Sequence, residues 1–122
     1  MVRERIKPLP VESRPLASLA GAVLAQSVRA ERDQPPFDRV TMDGIAVSSA
    51  SWRDGRRRFF IAGTQAAGRP PLRLEAAETC IEVMTGAVMP AGCDCVVPVE
   101  RLLLADGWAK VNDDAVVEPF AN

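Results

Sequence analysis

A chain of 122 residues is long enough for one core, or for one domain and part of a second. Hydrophobic residues make up 48% of it, which excludes an intrinsically disordered chain. Fifteen basic residues offset sixteen acidic ones, and the net charge of −1 argues against a nucleic-acid-binding protein or one that binds anionic membranes.

The first ten residues are charged and contain two prolines, so we expect a loose lead-in. A short helix should follow, because apolar residues recur on one helical face at Leu16, Leu19, Ala20, Val23 and Leu24. Ser13 could cap this helix and Pro15 suits its first turn, whereas Gly21 weakens it. Residues 27–30 are predicted to form a strand that leads to a bend at residues 33–36.

Residues 35–47 read P-P-F-D-R-V-T-M-D-G-I-A-V. The prolines hold the backbone extended, and Phe37 is expected to anchor the segment in a core. Asp43-Gly44 is a strong turn signal that leads to an apolar strand at residues 45–47. An acidic side chain at the mouth of a strand is well placed to meet a ligand. An Asx-turn aspartate that only supports the bend remains the alternative for Asp43.

Short apolar runs separated by Gly and Pro continue to the end of the chain, at residues 59–62, 80–84, 95–99, 101–104, 108–111 and 115–117. Asp106-Gly107 predicts a hairpin turn between two of them. The polar residues 48–55 and the basic run 56–58 are expected to form a loop and a solvated strand end. The pattern predicts a mainly β (α+β) fold: a small antiparallel β-barrel with a short N-terminal helix and strand segment.

The odd cysteine count, from Cys80, Cys93 and Cys95, predicts no disulfide framework and favours a reducing cytosol. The chain has no histidine, which argues against a closed zinc site and against a cysteine nucleophile activated by a histidine base. We expect buried thiols and no metal ligands in this chain. No apolar run could span a bilayer and no apolar leader follows the charged N-terminus, so a soluble, cytoplasmic protein without a membrane partner is expected.

A second segment, residues 84–100, reads M-T-G-A-V-M-P-A-G-C-D-C-V-V-P-V-E. Together the two segments resemble the N-terminal part of the MoeA-type molybdopterin molybdotransferases, the bacterial relatives of gephyrin. That family carries P-x-F-D-N-S-A-M-D-G-Y-A-V followed by M-T-G-A-x-x-P-x-G-x-D-x-V-V-x-x-E, and the resemblance spans roughly residues 16–122. The departures, Arg39-Val40-Thr41 and Ile45, indicate a divergent branch.

The resemblance implies an enzyme that inserts molybdate into adenylylated molybdopterin with the help of Mg²⁺ and releases AMP. Asp43 and Thr85 match motif residues that would make catalytic polar contacts, and Gly44 and Gly86 would make backbone contacts to the cofactor. A Thr85 hydroxyl that bonds only its own turn is the alternative. We expect Asp43 and Thr85 on loops at the same end of the barrel. Three other motif acids, Asp38, Asp94 and Glu100, are expected to be structural.

The complete enzyme of this family is expected to be a homodimer that also meets a molybdopterin adenylyltransferase. Residues 1–44 would be a remnant of its elongated linker or dimerisation domain, and residues 45–122 its barrel-like domain. Because the resemblance stops before an N-x-R-x-x-G-E-D segment and a larger α/β domain, we expect this chain to be inactive alone and to hold no cofactor. Two alternatives stay open: a non-catalytic binding module of the same fold, and a β-barrel adaptor unrelated to the cofactor.

Overall fold

The computed structural model describes residue 7 and residues 9–119, which form two compact units that divide between Glu31 and Arg32. In the first unit the only helical element among these residues is the single 3-10 turn Leu16–Ser18, closed by a bond from the Ser18 N–H to the Pro15 carbonyl at 2.9 Å. The predicted N-terminal helix is therefore wrong, and residues 27–30 form no strand. Short helices depend on a packed apolar face, yet Val23 is 93% exposed, and the φ of 81° at Gly21 is incompatible with a right-handed helix through this residue.

The second unit is built on six strands joined by short connections. They are β1 (Gly44–Val47), β2 (Arg58–Gln65), β3 (Thr79–Val83), β4 (Cys95–Pro98), β5 (Leu102–Ala105) and β6 (Trp108–Val111). A five-residue helix, α1 (Ser49–Arg53), lies between β1 and β2, and the 3-10 turn Val99–Arg101 joins β4 to β5.

The strands form one sheet in the order β4-β1-β3-β2-β6-β5. Every neighbouring pair is antiparallel except β2 and β3, which run parallel. The predicted mainly β fold is confirmed, but the sheet is mixed rather than antiparallel. Between β4 and β5, the two edges, no pairing closes it in the described part of the chain, so the fold is a half-barrel and not a closed barrel.

The half-barrel curls around a core to which every strand contributes. This inner core consists of Ile45, Val47, Phe59, Cys80, Cys95, Val97, Leu102, Ala109, Val111 and Ala115. A flat sheet could not bring both edge strands, β4 and β5, into one cluster, which is why the sheet must curl. Trp52 of α1 packs against the same core and covers part of it.

The outer side of β4-β1-β3 is covered by the two segments singled out in the sequence. A second core lies there, with Val40, Ala46, Ile81, Val83, Ala87 and Val96. The segments are held side by side because the Val40 N–H donates to the Ala87 carbonyl at 2.9 Å and the Met89 N–H to the Asp38 carbonyl at 2.9 Å. All four residues of β1 are buried, because this strand has a core on each face.

Several local expectations can be compared with the structure directly. Asp106 and Gly107, with φ of 51° and 77°, form the predicted two-residue hairpin turn between β5 and β6. Phe37 is 43% exposed, so the prediction of a core anchor there is wrong, and the fully buried Val40 fills that role. Residues 115–117 form no strand, and residues 48–55 contain α1 instead of only a loop. Among the described residues, no helix has the length and apolarity needed to cross a membrane.

Candidate functional site

Asp43 and Thr85 meet at one end of the sheet. Gly44 opens β1 opposite Val83 at the end of β3, so the residues just outside these two positions are neighbours in space. The Thr85 backbone N–H donates to Asp43 Oδ1 at 2.7 Å, and the Thr85 hydroxyl donates to the same oxygen at 2.7 Å. The prediction that these two residues share one end of the fold is confirmed.

The Asp43 carboxylate is held in its charged form. The backbone N–H of Thr85, and then its hydroxyl, lower the pKa of Asp43 below 3.8 because both bonds favour the anion. Both donors reach Oδ1, and no other hydrogen bond to this side chain occurs within residues 9–119. The remaining oxygen, Oδ2, therefore faces solvent as an anionic acceptor that would repel an oxyanion placed directly against it.

A divalent cation or a water molecule could bridge this carboxylate to an oxyanion. The described residues include no group of three or more histidine, cysteine, aspartate or glutamate side chains that could hold a metal. Mg²⁺ needs about six oxygen ligands, several of which are usually water or substrate oxygens. Asp43 could therefore supply one carboxylate ligand to Mg²⁺, alongside water and substrate oxygens.

Gly44 and Gly86, the two glycines predicted to contact a cofactor, each have a structural role in the fold. A Cβ at Gly44 would lie 2.0 Å from the Val97 carbonyl oxygen, so only glycine lets β1 pass this close to β4. Gly86 has a φ of 86° and donates its N–H to the Val40 carbonyl at 2.8 Å. That N–H holds the two motif segments together and does not point to a ligand.

A cavity of about 200 Å³ opens beside Asp43, inside the curl of the sheet. It is lined by Asp43, Gly44, Ile45, Ile61, Glu82, Val83, Met84, Val99, Leu102 and Leu104. Glu82 is half-buried, and the Thr64 hydroxyl donates to its Oε2 at 2.8 Å. Glu82 is not predicted from the sequence, although its position two residues after the buried Cys80 places it on the inner face of β3.

Asp94 is structural, as predicted. Its Oδ1 accepts from the Ser49 N–H at 2.6 Å and its Oδ2 from the Ser49 hydroxyl at 2.6 Å, so it fixes the first turn of α1. Burial raises the pKa of Asp94, but the bonds from Ser49 outweigh burial and leave the pKa below 3.8. Glu100 lies exposed in the 3-10 turn after β4.

The cysteines behave as small apolar residues. Cys80 and Cys95 are buried in the inner core, Cys93 is half-buried, and all three are free thiols. Burial raises the pKa of each thiol to about 12. Because the thiolate is the reactive form, none of them is a nucleophile at neutral pH.

Comparison with known proteins identifies the family to which the chain is similar. The family model described as "MoeA N-terminal region (domain I and II)" matches residues 1–122. A molybdopterin molybdenumtransferase of Synechocystis sp. is 46% identical over 99 residues, which are 81% of this chain and 25% of that protein. One of Synechococcus elongatus is 38% identical over 110 residues, 86% of this chain and 27% of that protein. The chain thus spans about a quarter of the length of these relatives.

Two crystal structures of the molybdopterin biosynthesis MoeA protein from Pyrococcus horikoshii share the fold, each at 27% identity. One has a TM-score of 0.67 and covers 77% of this chain and 25% of that one. The other has a TM-score of 0.68 and covers 91% of this chain and 30% of that one. Because the family model matches the whole chain, residues 1–122, the chain belongs to the MoeA N-terminal region family.

Proposed function

We propose that this chain is the N-terminal part of a molybdopterin molybdotransferase, which inserts molybdate into adenylylated molybdopterin during molybdenum cofactor synthesis. The observation that carries the proposal is the contact between the two motifs. Asp43 of the first accepts two hydrogen bonds from Thr85 of the second, although 42 residues separate them along the chain. Relatives that match most of this chain carry the name molybdopterin molybdenumtransferase.

In this proposal Asp43 supplies a fixed negative charge to the reaction and Thr85 positions it. The Thr85 donors orient one carboxylate oxygen, which leaves Oδ2 to hold Mg²⁺ or to accept a hydrogen bond from a bound water. Mg²⁺, when bound, would place positive charge against the phosphate and molybdate oxygens. Anionic substrates would otherwise be repelled by the ionised Asp43.

The complete enzyme would work as a homodimer in the cytoplasm and receive its substrate from a molybdopterin adenylyltransferase. Residues 1–44 would belong to its elongated linker or dimerisation domain and residues 45–122 to its barrel-like domain. The chain alone would be inactive, because it spans only about a quarter of the length of the relatives that carry the enzyme's name.

A non-catalytic binding module of the same fold is the second candidate. The structural duties of Gly44 and Gly86 favour it, because a protein that had lost its chemistry would still need both glycines to fold. The two candidates differ in what they require of Asp43. A binding module needs only the bend that Asp43 supports, whereas an enzyme needs its charge.

A chimera tests the proposal. This chain would replace the aligned segment of the Synechocystis relative, and formation of active cofactor from adenylylated molybdopterin and molybdate would be measured. We expect activity within about tenfold of the unmodified relative, and none from the 122-residue chain alone. A folded chimera without activity would contradict the proposal that the chain is part of this enzyme. Turnover by the isolated chain would contradict the expectation that it is inactive alone.

A further inference from the structure

The cavity beside Asp43 has an unusual balance of groups. Its walls are apolar, and the polar side chains that line it are the carboxylates of Asp43 and Glu82. None of the described residues lining it is a lysine or an arginine, and neither carboxylate takes part in an ion pair within residues 9–119. An apolar pocket with two unpaired carboxylates is complementary to a ligand that brings hydrogen-bond donors or positive charge, and it disfavours an oxyanion.

Glu82 is the more interior of the two carboxylates. It projects from the inner face of β3 opposite Ile45 of β1, and the Thr64 hydroxyl fixes its orientation through Oε2. Glu82 lines the cavity, and no other hydrogen bond reaches its side chain in the described part of the chain, so Oε1 keeps its full acceptor capacity. A carboxylate held in this way can accept two parallel N–H bonds from a planar group.

The size of the cavity limits the ligand. About 200 Å³ accommodates a small fused ring but not a nucleotide. Flat rings gain from contact with the apolar lining, which includes Ile61 of β2 and Leu102 and Leu104 of β5. The ligand class is therefore a compact planar heterocycle with two adjacent N–H donors on one edge, a guanidine-type edge.

We propose that this cavity binds the pterin end of molybdopterin, with Glu82 accepting hydrogen bonds from the 2-amino group and the adjacent ring N–H. The inference rests on the proposed function, because only that function supplies a pterin. It adds Glu82, which lies outside the two motifs, as a residue that determines specificity. It also assigns binding of the ring and contact with the anionic groups to different carboxylates. Glu82 holds the neutral ring inside the curl, while Asp43 lies at the mouth and would meet the anionic groups only through a bound cation or water.

The chain itself can be tested with simple pteridines. Fluorescence titration of the 122-residue chain would compare pterin with lumazine, which has the same rings but an oxygen in place of the 2-amino group. We expect saturable pterin binding, lumazine weaker by at least about tenfold, and no competition from molybdate, because a missing donor leaves Glu82 unpaired. Glu82→Gln should remove the preference for pterin. Gln keeps an acceptor for Thr64, so the strand should be undisturbed.

Matched controls keep the test decisive. Glu78→Gln removes an exposed carboxylate that does not line the cavity and should bind like the wild type. Leu104→Trp fills the cavity from β5 and should weaken both pteridines, with folding checked by thermal melting. Equal affinity for pterin and lumazine, or no binding of either, would overturn the proposal. Displacement of pterin by an equal concentration of N-acetyl-arginine amide would also overturn it, because the cavity would then recognise a cation.

Failure here can be told apart from failure of the proposed function. If neither pteridine binds but the chimera with the Synechocystis relative is active, the enzyme stands and the pterin assignment falls. If pterin binds with the expected preference while the folded chimera is inactive, the assignment of the cavity stands as a binding property and the enzyme falls.

Discussion

Replacing Gly44 by alanine should destabilise the fold strongly, because the added methyl group has no room. Its carbon would lie 2.0 Å from the Val97 carbonyl oxygen, 2.9 Å from the Val97 carbonyl carbon and 3.1 Å from the Pro98 Cα. All three atoms belong to the backbone of β4, so no side-chain rotation relieves the clash. Non-bonded contacts need more than about 3 Å, and β1 would have to move by at least about 1 Å from β4.

Such a movement breaks ladder hydrogen bonds between β1, which is fully buried, and β4, which is buried except at Pro98. Overpacking costs about 1–3 kcal/mol, and each lost hydrogen bond adds about 1 kcal/mol, so we expect Gly44→Ala to cost about 3–5 kcal/mol. For a chain of this length that corresponds to a fall in Tm of about 10–20 °C. Urea and thermal unfolding of the 122-residue chain would measure both quantities.

Gly63→Ala in β2 is the matched control. A Cβ there would meet only the Leu72 Cδ1 atom at 3.3 Å, the flexible end of a side chain, so the cost should be below about 1 kcal/mol. If Gly44→Ala were within about 1 kcal/mol of the wild type, the close approach of β1 and β4 would be refuted, and with it the placement of Asp43.

Asp94→Ala should lower the free energy of unfolding by about 1–2 kcal/mol, because the Ser49 N–H and hydroxyl at the start of α1 lose the carboxylate that accepts their hydrogen bonds. Urea unfolding would measure this loss. Because the pKa of Asp94 is lowered in the folded chain, its charge stabilises the fold above about pH 3.8, and this stabilisation is lost as the pH falls through the folded-state pKa. The loss of unfolding free energy in Asp94→Ala should therefore shrink below pH 3.8. A loss that stays constant with pH would contradict the charge effect. Iodoacetamide at pH 8 should label Cys80, Cys93 and Cys95 far more slowly in the native chain than in urea, and equal rates by mass spectrometry would contradict their raised pKa values.

The strands of the second unit could be predicted from the sequence because their signals are local. Gly and Pro mark the turns, and Asp106-Gly107 predicts both the hairpin and its geometry. The meeting of Asp43 and Thr85 is not local, and its prediction rests on the position of both motifs at strand mouths bounded by Gly, together with their resemblance to one family. The motif sequences do not indicate that the Gly86 N–H donates its hydrogen bond to the Val40 carbonyl.

The features that could not be predicted depend on contacts distant in sequence. The parallel pairing of β2 with β3 is decided by where the connection at residues 66–78 returns the chain, which no local pattern encodes. The five-residue α1 is too short to show helical periodicity and is held by Asp94, 45 residues away along the chain from Ser49. The N-terminal apolar pattern predicted a helix, but Leu16 and Val23 are exposed, so no packed face supports one.

The central claim is that the Asp43 charge serves the reaction and not only the bend. The most direct test is the turnover of Asp43→Asn in the active chimera, with the melting temperature measured on the same sample. Asn keeps the acceptor for both Thr85 donors, so the melting temperature should hardly change, while turnover should fall by about 100-fold or more because the negative charge is lost. Wild-type turnover in Asp43→Asn would contradict the account and leave Asp43 as a residue that only supports its turn.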